Sequence, residues 1–201
     1  MARWNALPPR NAARFAPPTS ETLPIVLLAH DRELYLRPGL RLWAAVKGIE
    51  QAVLVASHHG THDGVWRLVE GVRFCAVQQL IFPHAGRYRG AHVLKLHFTW
   101  AMGQLFGHLE AHEVLYMEDD YWPTPDLYQH ALWLRSMREA HCPECVGSVL
   151  GEHPRDWTER HADSARWLGA EHRALQQVAR LEDTRRVEEN QLILIDREEP
   201  S

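Results

Sequence analysis

Four apolar runs, PIVLLAH (24–30), AVLVASH (52–58), FCAVQQLIF (74–82) and EVLYMEDD (113–120), are each followed by a segment whose apolar residues recur at roughly helical spacing. Those segments are DRELYLRPGLRLWAAV, VWRLVEGV (65–72), HVLKLHFTWAMGQLFGHL (92–109) and DLYQHALWLRSMREA (126–140), the third being the clearest amphipathic pattern. Continuous apolar runs with β-branched members suit strands buried on both faces. Strands alternating with helices predict an α/β fold, a mostly parallel central sheet covered on both sides. Pro38-Gly39 is expected to interrupt the first helix or delay its start.

At 201 residues, 45% hydrophobic and 24% charged, the chain suits one globular domain with a sizeable core. A formal net charge of −4 argues against nucleic acid as a partner, because neutralising many phosphates requires clustered Lys and Arg. No apolar run of about 18 residues encodes a transmembrane helix. Residues 1–22, rich in Pro, Ala and Arg and without an apolar h-region, read as a flexible leader rather than a signal peptide. Residues 23–152 carry the α/β pattern. From 153 to 201 charges of both signs dominate, which suggests an exposed helical tail, with QLILID (191–196) a last strand or a short buried end.

The stretch LYMEDDYWPTPDLY places Glu118, Asp119 and Asp120 side by side directly after an apolar run. Adjacent carboxylates repel and are costly to desolvate, so such a cluster is usually stabilised by a positive group, of which a divalent metal is one example. The alternative is a solvated turn, for which Pro123 and Pro125 speak. Position favours function. In open α/β sheets ligands bind beyond the carboxyl ends of the strands, and His30-Asp31-Arg32, Ser57-His58 and Glu118-Asp119-Asp120 all fall there. Asp126 is expected to cap the helix that starts near Leu127. The run His58-His59-Gly60-Thr61-His62 could hold a metal, but a chain with 14 histidines produces such runs by composition. CPEC (142–145) has three readings: a redox pair, half a zinc site, or a structural disulfide.

GVRFCAVQQLIFP, KLHFTW, YMEDDYWPTPDLY and CPEC, in this order, resemble the N-acetylglucosaminyltransferase II family, and HFTWAMGQLF followed by EDD also resembles N-acetylglucosaminyltransferase I. The likeness spans roughly residues 24–152. It implies a GT-A fold, a Rossmann-like domain binding UDP-GlcNAc with Mn²⁺ or a similar divalent cation, and transfer of N-acetylglucosamine in β1,2 linkage to mannose of N-glycans in the Golgi lumen. By the same resemblance Asp120 is the metal ligand, and Glu118 and Asp119 hold ribose or sugar hydroxyls. His30, Asp31 and Arg32 occupy the first nucleotide-binding loop. Arg32 then contacts the nucleotide through its forked donors, or else pairs with Asp31 or Glu33. His58 matches a Ser-His-Asp motif whose Asp reads uracil, with His59 in that third place here. His97 aligns with a uracil-contacting histidine, the alternative being a packing histidine in the core, and Arg89 falls near a basic nucleotide-contacting segment. The resemblance also implies a Cys142–Cys145 disulfide and leaves Cys75 as a free, buried thiol.

An inverting transferase needs a carboxylate base to take the acceptor proton, and the family supplies it from a later segment. After Glu152 the chain has acids, among them Asp156, Glu159 and Asp163, but none in a matching motif, so the catalytic residue is left unassigned. The chain reads as the donor-binding half of a metal-dependent, inverting transferase, with a non-catalytic nucleotide-sugar-binding module as the alternative. A metal-dependent hydrolase using the acidic cluster is a third class, which leaves CPEC and the ordered motifs unexplained.

Overall fold

A computed structural model describes residues 8–19, 21–83, 91–142, 145, 147–150 and 192–196. Six strands form one sheet in the order β3-β2-β1-β4-β6-β5. Strands β1 (Ile25–Ala29), β2 (Val53–His59), β3 (Ala76–Phe82) and β4 (Glu113–Glu118) are mutually parallel. Beyond β4, strand β6 (Leu192–Asp196) pairs antiparallel with β4, and strand β5 (Gly147–Leu150) pairs antiparallel with β6 at the edge. The sheet is therefore mixed, as the short QLILID run permits. Among the described residues the α-helices are α1 (Glu33–Trp43), α2 (Asp63–Glu70), α3 (Ala91–Gly107) and α4 (Leu127–His141).

Strand alternation divides the core in two. Ile25, Leu27 and Ala29 point to one face, where Leu36, Leu40 and Trp43 of α1, Val65 and Val69 of α2, and Leu127, Tyr128 and Ala131 of α4 cover them. Val26 and Leu28 point to the other face, against Ala101, Met102 and Leu105 of α3. A strand with helices on both sides has no solvent face, which is why its run is apolar without a break.

Helix α1 runs through Pro38 instead of breaking there. Proline removes one i→i−4 hydrogen bond and crowds the carbonyl of Leu34. The helix keeps its course because Leu36, Gly39, Leu40 and Trp43 are buried at helical spacing, and the apolar burial of that face outweighs the lost bond. Gly39 packs beside Trp122, where a Cβ would stand at an ordinary contact distance of 3.6 Å from the indole.

Part of the expected leader is docked. Arg10 makes an antiparallel bridge to Val77 on the outer edge of β3, and Asn11 donates from Nδ2 to the carbonyl of Val72 at 2.8 Å. Asp126 occupies the N-cap position of α4, but its side chain makes no capping hydrogen bond and pairs with His130 at 3.7 Å. At the start of β4, the buried carboxylate of Glu113 is held by Arg138, with Arg135 at 3.6 Å. A buried carboxylate needs such partners, and two arginines one turn apart on α4 supply them. The expected helical tail lies outside the described residues. Among the described residues, no helix is long and apolar enough to cross a membrane.

Candidate nucleotide-sugar site

Strand order reverses at β1, which has β2 on one side and β4 on the other. Crossovers leave such a switch point in opposite directions and open a crevice beyond the carboxyl ends of its two strands. Two clusters face each other across it, His30-Asp31-Arg32 after β1 and Glu118-Asp119-Asp120 at the end of β4.

The backbone N–H of His30 donates to Oδ2 of Asp119 at 3.2 Å, which ties the loop after β1 to β4. Arg32 then reaches all three acids. Its Nη1 donates to Oδ2 of Asp120 at 2.6 Å, its Nη2 pairs with Oδ1 of Asp119, and Glu118 stands 4.0 Å away. The positive group that the acidic cluster requires is thus supplied by the chain itself. Its partners are not the sequence neighbours Asp31 and Glu33: Asp31 is engaged by His30, and Glu33 by Arg37. Sequence proximity loses here to the parallel pairing of β1 with β4.

The three acids are not equivalent. The Asp119 side chain is 1% exposed, and burial raises its pKa against the lowering pull of the His30 N–H and Arg32. Both of its oxygens are directed into the protein, so it braces the loop more than it presents an oxygen to the crevice. Asp120 and Glu118 remain partly open, with 32% and 22% of their side chains exposed. The Tyr116 hydroxyl donates to Oε1 of Glu118 at 2.7 Å and orients it.

The histidines after β2 separate by strand alternation. Ser57 and His59 face α3, whereas His58 faces the opposite side, tilted against Trp66 of α2 and bonded through Nε2 to Oε1 of Gln79 at 2.8 Å. The expectation that His58 binds the nucleotide meets a side chain directed toward α2 and Gln79. Burial pushes its pKa down to about 4. His59 instead stacks on His30, with ring centroids 4.4 Å apart. The period-two pattern counted from Val53 carried this signal, because residue 59 shares a face with residue 57. His97 is buried, stacked on Phe82 and hydrogen-bonded through Nε2 to Ser57 Oγ at 2.8 Å. That is the arrangement of a satisfied core histidine, and burial together with His59, His58 and His30 lowers its pKa to about 3. Arg89 lies outside the described residues. Cys142 and Cys145 form a disulfide with Cα atoms 5.4 Å apart, and Cys75 is free and buried, its thiol pushed up to about 12 by burial.

A switch point with a basic loop opposite an acidic triplet is where an open α/β sheet can take a ligand, and the proteins to which this chain is similar are glycosyltransferases. Residues 2–88 match the family model described as N-acetylglucosaminyltransferase II (MGAT2). The chain is similar to alpha-1,6-mannosyl-glycoprotein 2-beta-N-acetylglucosaminyltransferase of Arabidopsis thaliana, 27% identical over 75% of this chain and 44% of that protein. The Sus scrofa enzyme of the same name is 23% identical over 81% and 48%, respectively. The chain therefore spans about half the length of the curated relatives it matches. Among solved structures, the Pyrobaculum calidifontis mannosyltransferase PcManGT in complex with GDP-Man and Mn²⁺ superposes with a TM-score of 0.42 at 19% identity, over 78% of this chain and 42% of that one.

Proposed function

We propose that this chain is the donor-binding half of an N-acetylglucosaminyltransferase that binds UDP-GlcNAc with Mn²⁺ or a similar divalent cation and acts on mannose of N-glycans. The observation that carries the reading is the acidic triplet at the end of β4, facing Arg32 across the β1/β4 switch point. Sequence similarity to glycosyltransferases supports the same reading.

Oxygen ligands suit Mn²⁺, and Asp120, the most open of the three acids, is the residue that would hold it. A cation there supplies charge neutralisation for the diphosphate and the departing UDP. Arg32, once its guanidinium leaves Asp120, offers paired donors to a phosphate. Glu118, oriented by Tyr116, accepts from a ribose or sugar hydroxyl. His30 and Asp31 line the crevice beyond β1, Asp119 braces their loop through the His30 N–H, and His97 holds the end of β2 through Ser57. The Cys142–Cys145 disulfide suits an oxidising compartment such as the Golgi lumen.

A non-catalytic nucleotide-sugar-binding module is the second reading, favoured by the grip of Arg32 on Asp120. Calorimetric titration of UDP and UDP-GlcNAc with Mn²⁺ and with EDTA tests donor binding. Metal-dependent affinity for both is expected, and equal affinity under the two conditions refutes the metal assignment. A radiolabelled-donor assay beside a full-length relative separates the readings: transfer at a comparable rate sinks the module. Absence of both transfer and slow hydrolysis of the donor, with donor affinity intact, sinks the transferase.

A further inference from the structure

Outside the acid–arginine contact, a second group of potential ligands gathers on the other flank of β1. His30 and Asp31 follow β1 directly, and His62 lies on the loop that leaves β2. One ligating atom from each of the three lies within 4.8 Å of the others, and all three residues are exposed.

The fold brings them together for identifiable reasons. Parallel pairing sets Ala29 beside His58, so the loops after β1 and β2 emerge side by side. Gly60, at φ +83°, turns the chain through a left-handed conformation that residues with a Cβ rarely adopt. His62 then lies beside His30, with ring centroids 5.4 Å apart. It holds the N-cap position of α2, yet its side chain makes no capping bond, so the imidazole is not spent on the helix. His30 is already positioned: its N–H is held by Asp119, its ring stacks on His59, and its Nδ1 lies 2.6 Å from Oδ1 of Asp31.

We propose that His30, Asp31 and His62 form a binding site for a late transition-metal ion of the Zn²⁺, Co²⁺ or Ni²⁺ type, separate from Asp120. Two imidazoles and one carboxylate are the ligand set such ions favour, whereas Mn²⁺ and Mg²⁺ prefer all-oxygen surroundings. Three protein ligands leave a fourth position open to water. Metal–nitrogen bonds of about 2.0–2.1 Å set ligand atoms roughly 3.3 Å apart in a tetrahedral site, so no pair need close by more than about 1.5 Å, while Nδ1 of His30 and Oδ1 of Asp31, now 2.6 Å apart, move slightly apart. Rotation of exposed side chains on two short loops covers that distance. Because His30 and Asp31 also line the crevice assigned to the donor, an ion here competes with UDP; this consequence rests on the donor-binding reading, while metal binding itself does not.

Calorimetric titration with ZnCl₂ alone, and the visible absorption of the Co²⁺-loaded protein, test the site on the full chain. One equivalent of Zn²⁺ is expected, weakened at least tenfold by His62→Ala and by Asp31→Asn, unchanged by Asp120→Asn, and not displaced by equimolar Mn²⁺. Circular dichroism checks that the variants fold; both positions are exposed. Zinc binding unaffected by His62→Ala, or no zinc binding in the wild type, overturns the proposal. Zinc binding without any affinity for UDP leaves this site standing and removes the donor reading. Affinity for UDP with Mn²⁺ but none for zinc does the reverse.

Discussion

Nη1 of Arg32 stands 2.6 Å from Oδ2 of Asp120, joining residues 88 positions apart across the β1/β4 switch point. The same guanidinium also meets Asp119 and comes within 4.0 Å of Glu118. One cation thus answers three carboxylates, and a metal entering at Asp120 competes with it. Replacing Arg32 by Ala leaves a buried Asp119 and two partly open acids without their main counter-charge. A stability loss of about 1–3 kcal/mol is expected, the cost of stranding a buried polar partner. Added Mn²⁺ should raise the melting temperature of Arg32→Ala more than that of the wild type, because the ion then meets no rival. Equal shifts in scanning calorimetry would show that Arg32 and the metal do not share the site.

Asp120→Asn tests the other partner. An amide keeps the shape and a hydrogen-bond acceptor for Arg32 but cannot hold a dication beside a diphosphate. The variant is expected to fold normally and to bind UDP equally with Mn²⁺ and with EDTA, so that the metal-dependent part of the affinity disappears. Retention of that part in Asp120→Asn moves the metal to another carboxylate, with Glu118 the first to examine.

Acid should unfold this protein through its buried histidines. Burial lowers His58 to about 4 and His97 to about 3, from an ordinary value of 6.5. Both rings are neutral in the folded state. As pH falls below 6.5 the unfolded chain takes up protons that the folded chain refuses, so stability is full above 6.5 and declines towards pH 4. At about 1.4 kcal/mol per pKa unit, His58 alone contributes a loss of about 3 kcal/mol by pH 4. Urea unfolding at several pH values between 7 and 4.5 measures the slope. His97→Gln, whose amide can still bond Ser57, should flatten it, and an unchanged slope in both His97→Gln and His58→Gln would assign acid sensitivity elsewhere.

The alternation of elements was legible because it is written locally. A strand buried on both faces needs an unbroken apolar run, and α1 and α2 follow β1 and β2 after three residues, α3 and α4 follow β3 and β4 after eight. The location of the acids was legible for the same reason, since a strand end is a position in sequence. What could not be read was partner choice. Arg32 passes over its neighbours Asp31 and Glu33 for acids on β4, and that pairing exists only once β1 and β4 lie side by side. The direction of His58 depends on where β2 begins, and a shift of one residue would exchange its face with that of His59. Pro38 was read as a breaker, yet the burial of Trp43 and Leu40 holds α1 together across it. Strand β5 carried no clear signal, its four residues GSVL being too short for periodicity to register.

The three cysteines occupy two environments that differ in kind. Cys142 and Cys145 are joined across a sequence separation of 3, and by the chain-entropy argument so short a loop stabilises by no more than about 2 kcal/mol. Its main effect is to fix the turn that follows α4. Cys75 is fully buried and its thiol is pushed up to about 12, so almost no thiolate exists at neutral pH to react. Protein made in an oxidising compartment and treated with iodoacetamide while folded should therefore take up no label. Denaturation without reductant should add one label, on Cys75, and reduction before denaturation should add three. Mass spectrometry counts them. Three labels without reductant would mean that the pair is open in the native protein and would revive the zinc and redox readings of CPEC. Labelling of Cys75 in the folded state would mean that the core between β3 and the helices above it opens on the timescale of the reaction.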